Sequence, residues 1–228
     1  MKLNNKYYLL RHGEALSNVK NICSSWPETF YNPLTKVGRE TIKGIAEKLK
    51  NEKVDLIFYS PVLRTKQTAD ILGASLHIKP KSDKSSTTFA KQLLLEKHGI
   101  SVKNNINSKS ILGPKVVLDK RLREIGFGVF NGKPVEQFQG YFKKPSQKIR
   151  KSVPGGESYS DVARRVFLFF KHINKKYKGK TIMIVSHQAP LLLLLGKINK
   201  LSIKDSIIPL NIVFKEKRVT NGELVEVN

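Results

Sequence analysis

The sequence predicts a three-layer α/β/α fold with a mostly parallel central sheet, and three apolar runs carry that expectation. Residues 7–10 (YYLL), 54–59 (VDLIFY) and 181–185 (TIMIV) are largely continuous rather than alternating, as strands buried on both faces of a parallel sheet are. Helical periodicities follow them. At 228 residues the chain reads as one α/β domain, 1–228, with an insertion at about 73–113.

The first strand stops abruptly at Arg11, His12, Gly13 and Glu14. In open α/β sheets ligands sit beyond the carboxyl ends of the strands, so Arg11 and His12 stand at a binding edge. A guanidinium fork beside a nucleophilic imidazole nitrogen suits a tetrahedral anion, although such a dipeptide alone reads first as a solvated pair at a strand end. Residues 19–34 carry Pro27, Pro33, Asn21 and Asn32 and read as a loop over the site, its Trp26, Phe30 and Tyr31 either lining the mouth or packing the loop down. Thr35 is placed to cap a helix through Lys50, whose Ile42, Ile45, Ala46 and Leu49 share one face.

After the second strand, Ser60 and Pro61 read as N-cap and first position of a helix with Arg64 in its first turn. A helix N-terminus already favours anions, so an arginine there extends an anion site. Residues 89–96 (FAKQLLLE) form a candidate helix between polar stretches, and 73–113 reads as a basic cap segment. Residues 115–118 (KVVL) are a short strand. The glycines at 126, 128 and 132 do not make a dinucleotide fingerprint, because no strand precedes them and no helix opens on them. Residues 133–153 form a connection whose Lys143, Lys144, Lys148, Arg150 and Lys151 read as a solvated cluster. Ser158 with Asp161 makes a capping box for a helix presenting Val162, Val166, Phe169, Phe170 and Ile173 on one face. Gly179-Lys180-Thr181 lacks the upstream glycine of a P-loop and precedes a strand instead of following one. That strand delivers His187 to the same edge as His12. Asn221-Gly222 signals a closing hairpin.

These strings together resemble the histidine phosphatase superfamily, also called the phosphoglycerate mutase-like family. The resemblance rests on Arg-His-Gly-Glu with Ser17-Asn18, on SPVLRTKQTADIL, on the L-x-E-x-x-F-G-x-x-x-G pattern of Leu122, Glu124, Phe127, Gly128 and Gly132, on PGGES, and on the second histidine, His187. It implies a phosphoryl group passed to His12, phosphate ligands Arg11, Arg64 and His187, and Glu124 as the acid that protonates the leaving oxygen. Read without the family, Glu124 is an ion-pair partner of the neighbouring Arg121 and Arg123. Glu157 either steadies a site loop or is structural. Asn18 and Gln188 are candidate secondary substrate contacts; Gln188 stands where many members have glycine. The segment 73–113 departs from the family pattern, and the tail after the hairpin is shorter than in the family's mutases.

The formal net charge of +24, from 42 Lys and Arg against 18 acids, steers anionic substrates and raises affinity for polyanions. The lysines are spread along the whole chain, so nucleic-acid binding is allowed by charge without being predicted. A single cysteine, Cys23, excludes an intrachain disulfide and fits a reducing compartment. The N-terminus has no signal-peptide core, and polar residues interrupt the apolar run around Leu191, so the expectation is a soluble cytoplasmic protein with no membrane partner. The expected function is a metal-independent phosphomonoesterase acting on a small phosphorylated metabolite, with no cofactor and no metal. Its alternatives are a mutase of the phosphoglycerate type and a basic nucleic-acid-binding or adaptor protein that keeps the fold without the chemistry.

Overall fold

The computed structural model describes residues 2–76, 113–207 and 220–227. The core of the insertion, with its candidate helix at 89–96, lies outside the described residues, as does the first arm of the hairpin expected around Asn221. Among the described residues the strands are β1 (Lys6–Arg11), β2 (Leu56–Tyr59), β3 (Lys115–Leu118), β4 (Thr181–Ser186) and β5 (Leu224–Val227). They form one sheet in the order β3-β2-β4-β1-β5, parallel except that β5 runs antiparallel to β1.

Two apolar layers cover the sheet. On one face, α2 (Lys36–Lys48) and α3 (Leu63–Ser75) pack Ile42, Ile45, Ala69 and Leu72 against Tyr8, Leu10, Ile57 and Met183. On the other, α5 (Tyr159–Lys176) and α6 (Gln188–Ile198) pack Val166, Phe169, Phe170 and Leu194 against Tyr7, Leu9, Phe58 and Ile184. Successive side chains of β1 thus serve opposite layers, which is why its apolar run is unbroken. Three short α-helices, α1 (Leu16–Val19), α4 (Val135–Gly140) and α7 (Ile203–Ile207), and three 3-10 turns, Lys120–Leu122, Gly128–Phe130 and Pro145–Ile149, complete the described set.

The caps read from sequence divide. Thr35 accepts from Gly38 N at 2.9 Å, and Ser158 and Asp161 cap reciprocally. Ser60 does not cap. The helix of Arg64 begins at Leu63, two residues later than the Ser-Pro pair suggests, and its first amide is taken from outside: Leu63 N donates to Glu28 Oε2 at 2.9 Å. The Ser60 hydroxyl is committed to His187 instead. A cap from a distant loop leaves no trace in local sequence.

The turn after β1 is pressed onto the start of α2. A Cβ on Gly13 would sit 2.6 Å from the Gly38 carbonyl oxygen, and one on Gly38 would collide with the Glu14 backbone. Thr35 reinforces the seat, its N donating to Glu14 O and its hydroxyl to Glu14 Oε1, at 2.9 and 2.7 Å. Gly38→Ala therefore has to push the residues after His12 off the helix. We expect it to destabilise by about 1–3 kcal/mol, read in denaturant titrations, whereas Gly44→Ala, whose Cβ meets nothing, does not destabilise.

Candidate active site

The sheet aligns the ends of three neighbouring strands. Arg11 pairs with Ser186 and Tyr59 with Val185, so β1, β4 and β2 end level. Each chain then turns out over the same edge: His12 after β1, His187 after β4, and the 60–62 turn that leads to Arg64 after β2. His12 N donates to Ser186 O at 3.1 Å and Ser60 N to Val185 O at 3.3 Å, which stitches the three exits together.

Arg64, 2% exposed, lies among them with all five N–H groups directed. Its Nε donates to His12 Nε2 at 3.1 Å and its Nη2 to His187 Nδ1 at 3.2 Å and to Ser24 O at 3.0 Å. Nη1 donates to Ser24 Oγ at 3.0 Å and Glu28 Oε1 at 3.4 Å. A guanidinium has donors only, so both imidazole nitrogens facing it must offer lone pairs. The tautomers follow. His12 Nδ1 sits 2.7 Å from the Gly13 carbonyl and carries the proton, leaving Nε2 free; His187 carries its proton on Nε2, 2.7 Å from Ser60 Oγ.

Electrostatics keeps both rings neutral. Burial, then the charges of Arg64 and Arg11, hold the pKa of His12 well below the usual histidine value. Burial, then Arg64, does the same to His187. The two rings stand 5.1 Å apart, centre to centre. Burial lowers the Arg64 pKa to about 10, so it stays charged at neutral pH. Arg11 is likewise lowered by burial and supported by the charges of Glu124 and Glu223.

Glu124 is set differently from a surface acid. Burial raises its pKa, against the opposing pull of Ile125 N–H, which donates to Oε1 at 2.9 Å, and of Arg11, Arg64 and Arg165. Its neighbours in sequence are occupied elsewhere: Arg121 pairs with Asp119 and Arg123 with Glu157, each at 2.6 Å. Arg165 then holds the segment that carries it. Its Nη1 donates to the carbonyls of Arg121 and Arg123, both at 2.7 Å, and its Nη2 to that of Glu124 at 3.1 Å. Glu157 completes the clamp, accepting from Arg165 Nε and Nη2 at 2.9 Å and from Gly126 N at 3.0 Å. Burial opposes ionisation of Glu157, but the bonds and charge of Arg165 outweigh it and hold its carboxyl below the usual range.

Arg11, His12, Asn18, Arg64, Glu124 and Gln188 line one open cavity of about 980 Å³. His187 is fully buried and meets this site through Arg64. Trp26 and Tyr31 are 39% and 74% exposed and, with Phe30, stay off the cavity wall; Ile22, Cys23 and Ser24 take that place. In the basic cluster of 143–151 one residue departs from the solvated reading: Lys148 turns into the cavity. Ser24, Glu28, Lys148 and Arg165 escape sequence reasoning. The spacing of Glu157 and Arg165, two helical turns apart across the cap at Ser158, was the one available signal among them. Among the described residues no group of three or more His, Cys, Asp or Glu is arranged to hold a metal ion.

Removing Arg165 would strip three carbonyls of their donor at once and leave the partly buried Glu157 carboxylate to Arg123 and Gly126 N alone. Arg165→Met is expected to cost about 3–5 kcal/mol, measured as unfolding free energy in urea. Loss below 1 kcal/mol would mean that the clamp is replaced by water.

Comparison with known proteins follows the same lines. The sequence profile of the family described as Histidine phosphatase superfamily (branch 1) matches residues 7–85 and 108–208. A relative from Photorhabdus laumondii subsp. laumondii, named "Probable phosphoglycerate mutase GpmB", is 24% identical over 196 residues, 84% of this chain and 73% of its own. Among solved structures, Bacillus stearothermophilus YhfR superposes with a TM-score of 0.69 at 20% identity, over 98% of this chain and 91% of that one. The alpha-ribazole phosphatase from Shigella flexneri does so at 0.67 and 21%, over 98% and 90%. At these identities the structural likeness is one of fold.

Proposed function

Because the chain belongs to the histidine phosphatase superfamily (branch 1), we propose that it is a phosphomonoesterase working through a phosphohistidine at His12. The observation that carries this reading is the lone pair of His12 Nε2, held on a neutral ring by Gly13 O and facing a guanidinium 3.1 Å away. A phosphoryl group entering there meets the nucleophile and its charge stabiliser together.

In the proposed first step, His12 Nε2 attacks phosphorus in line and the bond from phosphorus to the ester oxygen breaks. Arg11 and Arg64 take the charge on the transferring oxygens, with His187 completing the phosphate site behind Arg64. Glu124, whose pKa burial raises, gives its proton to the departing alkoxide. In the second step the Glu124 carboxylate takes a proton from water as that water attacks phospho-His12. The bond from phosphorus to nitrogen breaks, inorganic phosphate leaves, and Glu124 is protonated again. The residues above supply each charge and proton, so the reaction as written calls for no metal.

A mutase is the second reading, favoured by the name of the Photorhabdus relative. It differs in one step: the intermediate rebinds in a second orientation before water reaches phospho-His12. Separating free phosphate from isomerised phosphoester distinguishes the two.

The phosphatase reading expects phosphate release insensitive to chelator, and a phosphoenzyme that is acid-labile and alkali-stable, as a phosphoramidate is. His12→Ala should abolish both turnover and labelling. Labelling that persists in this variant places the nucleophile elsewhere.

The pH profile tests the acid. Activity requires neutral His12 and protonated Glu124, so kcat/KM falls as pH drops through the lowered pKa of His12 and as it rises through the raised pKa of Glu124. On an alkyl phosphate, Glu124→Gln should lose roughly 10²–10⁴-fold in rate together with the alkaline limb. An aryl phosphate with an acidic phenol should be largely spared. Equal losses on both substrates would remove Glu124 from the acid role.

A further inference from the structure

The cavity is larger than a phosphoryl group requires. Its volume lies near the top of the roughly 300–1,000 Å³ range that small-molecule sites occupy. Away from Arg11 and His12 one stretch of its wall is apolar, built from Phe127, Phe138, Phe142, Leu192 and Ile207, beside polar Asn21, Gln139 and Gln188. The rings interlock edge to face, Phe127 with Phe138 at 4.9 Å and Phe138 with Phe142 at 5.5 Å.

One cation enters this apolar wall. Lys148 Nζ stands 5.4 Å from the Phe138 ring centre and 5.5 Å from that of Phe142. Lys143, Lys144, Arg150 and Lys151 around it in sequence are exposed, while Lys148 is half-buried. Among the described residues no carboxylate forms an ion pair with it. Burial lowers its pKa, the cost of holding an ammonium against rings. Ring faces recover part of that cost, and an anion entering the cavity would recover more.

Resting on the phosphatase reading above, we infer that Lys148 is a specificity-determining residue. The inferred substrates are phosphomonoesters whose organic part is apolar enough to lie on the phenylalanine wall and carries a second anionic group, met by Lys148. The phosphoryl group takes the Arg11, His12 and Arg64 end, and the second anion takes the lysine end. A carboxylate and a second phosphoryl group share this chemistry.

Non-hydrolysable probes separate this inference from the reading it rests on. Calorimetric affinities are compared for benzylphosphonate, 3- and 4-carboxybenzylphosphonate, and xylylene bisphosphonate, on wild-type protein, Lys148→Met and Lys148→Arg. Lys148→Met keeps the apolar stem and removes the charge; Lys148→Arg restores the charge. The wild type should bind the better carboxylated probe or the bisphosphonate on the order of tenfold more tightly than benzylphosphonate. Lys148→Met should abolish that preference, the affinity of the two-headed probe falling to that of benzylphosphonate, and Lys148→Arg should retain it. Whichever two-headed probe gains more identifies the second anion. Equal affinities in the wild type, a preference that survives in Lys148→Met, or no binding of any probe would overturn the assignment. Turnover of phenyl phosphate and 4-carboxyphenyl phosphate is measured in parallel: absence of both alongside an intact binding preference sinks hydrolysis and leaves the Lys148 assignment standing.

Discussion

A buried guanidinium needs an acceptor for every N–H, and the site is the way this fold meets that demand for Arg64. Removing such a charge from water is costly unless its donors are met. Here the acceptors come from three separate stretches: His12 after β1, His187 after β4, and the loop before α2, which supplies Ser24 and Glu28. Because β4 lies between β1 and β2, the three strands bring their exits within reach of one side chain. The protonation states are then consequences of geometry. An imidazole that accepts from arginine cannot also be charged there, so the nucleophile is delivered unprotonated, its Nε2 lone pair directed at Arg64.

The acid is prepared by the opposite means. Glu124 is kept from its adjacent arginines, which are committed to Asp119 and Glu157, and burial then favours its neutral form. Arg165 grips the main-chain carbonyls of Arg121, Arg123 and Glu124 itself, so the carboxyl is placed through the backbone and not by an ion pair of its own. Two carboxylates 33 residues apart in sequence thus part ways: the clamp lowers the pKa of Glu157, and burial in the cavity raises that of Glu124.

Much of this was legible in the residues themselves. The unbroken runs around Leu9, Ile57 and Ile184 are the buried parallel strands, and the capping signals at Thr35 and Ser158 hold because a cap is a local contact. His12, Arg64, Glu124 and His187 were readable as a set because each follows a recognisable string. What escaped depends on contacts across the fold. The first amide of α3 is satisfied by Glu28, 35 residues away, so its start could not be read from Ser60 and Pro61. Trp26 and Tyr31 face solvent although aromatic, because the inner wall of their loop is taken by Ile22, Cys23 and Ser24. Lys148 shares its composition with four solvated neighbours, and only the rings it lies against distinguish it.

The central claim is that Arg64 fixes both histidines as neutral, opposite tautomers before any substrate arrives. Nitrogen-15 chemical shifts of the imidazoles at pH 6.5, assigned with His12→Asn and His187→Asn variants, test it directly. The account predicts His12 protonated on Nδ1 with Nε2 free, and His187 protonated on Nε2 with Nδ1 free. An imidazolium at either position, or His12 carrying its proton on Nε2, would contradict it.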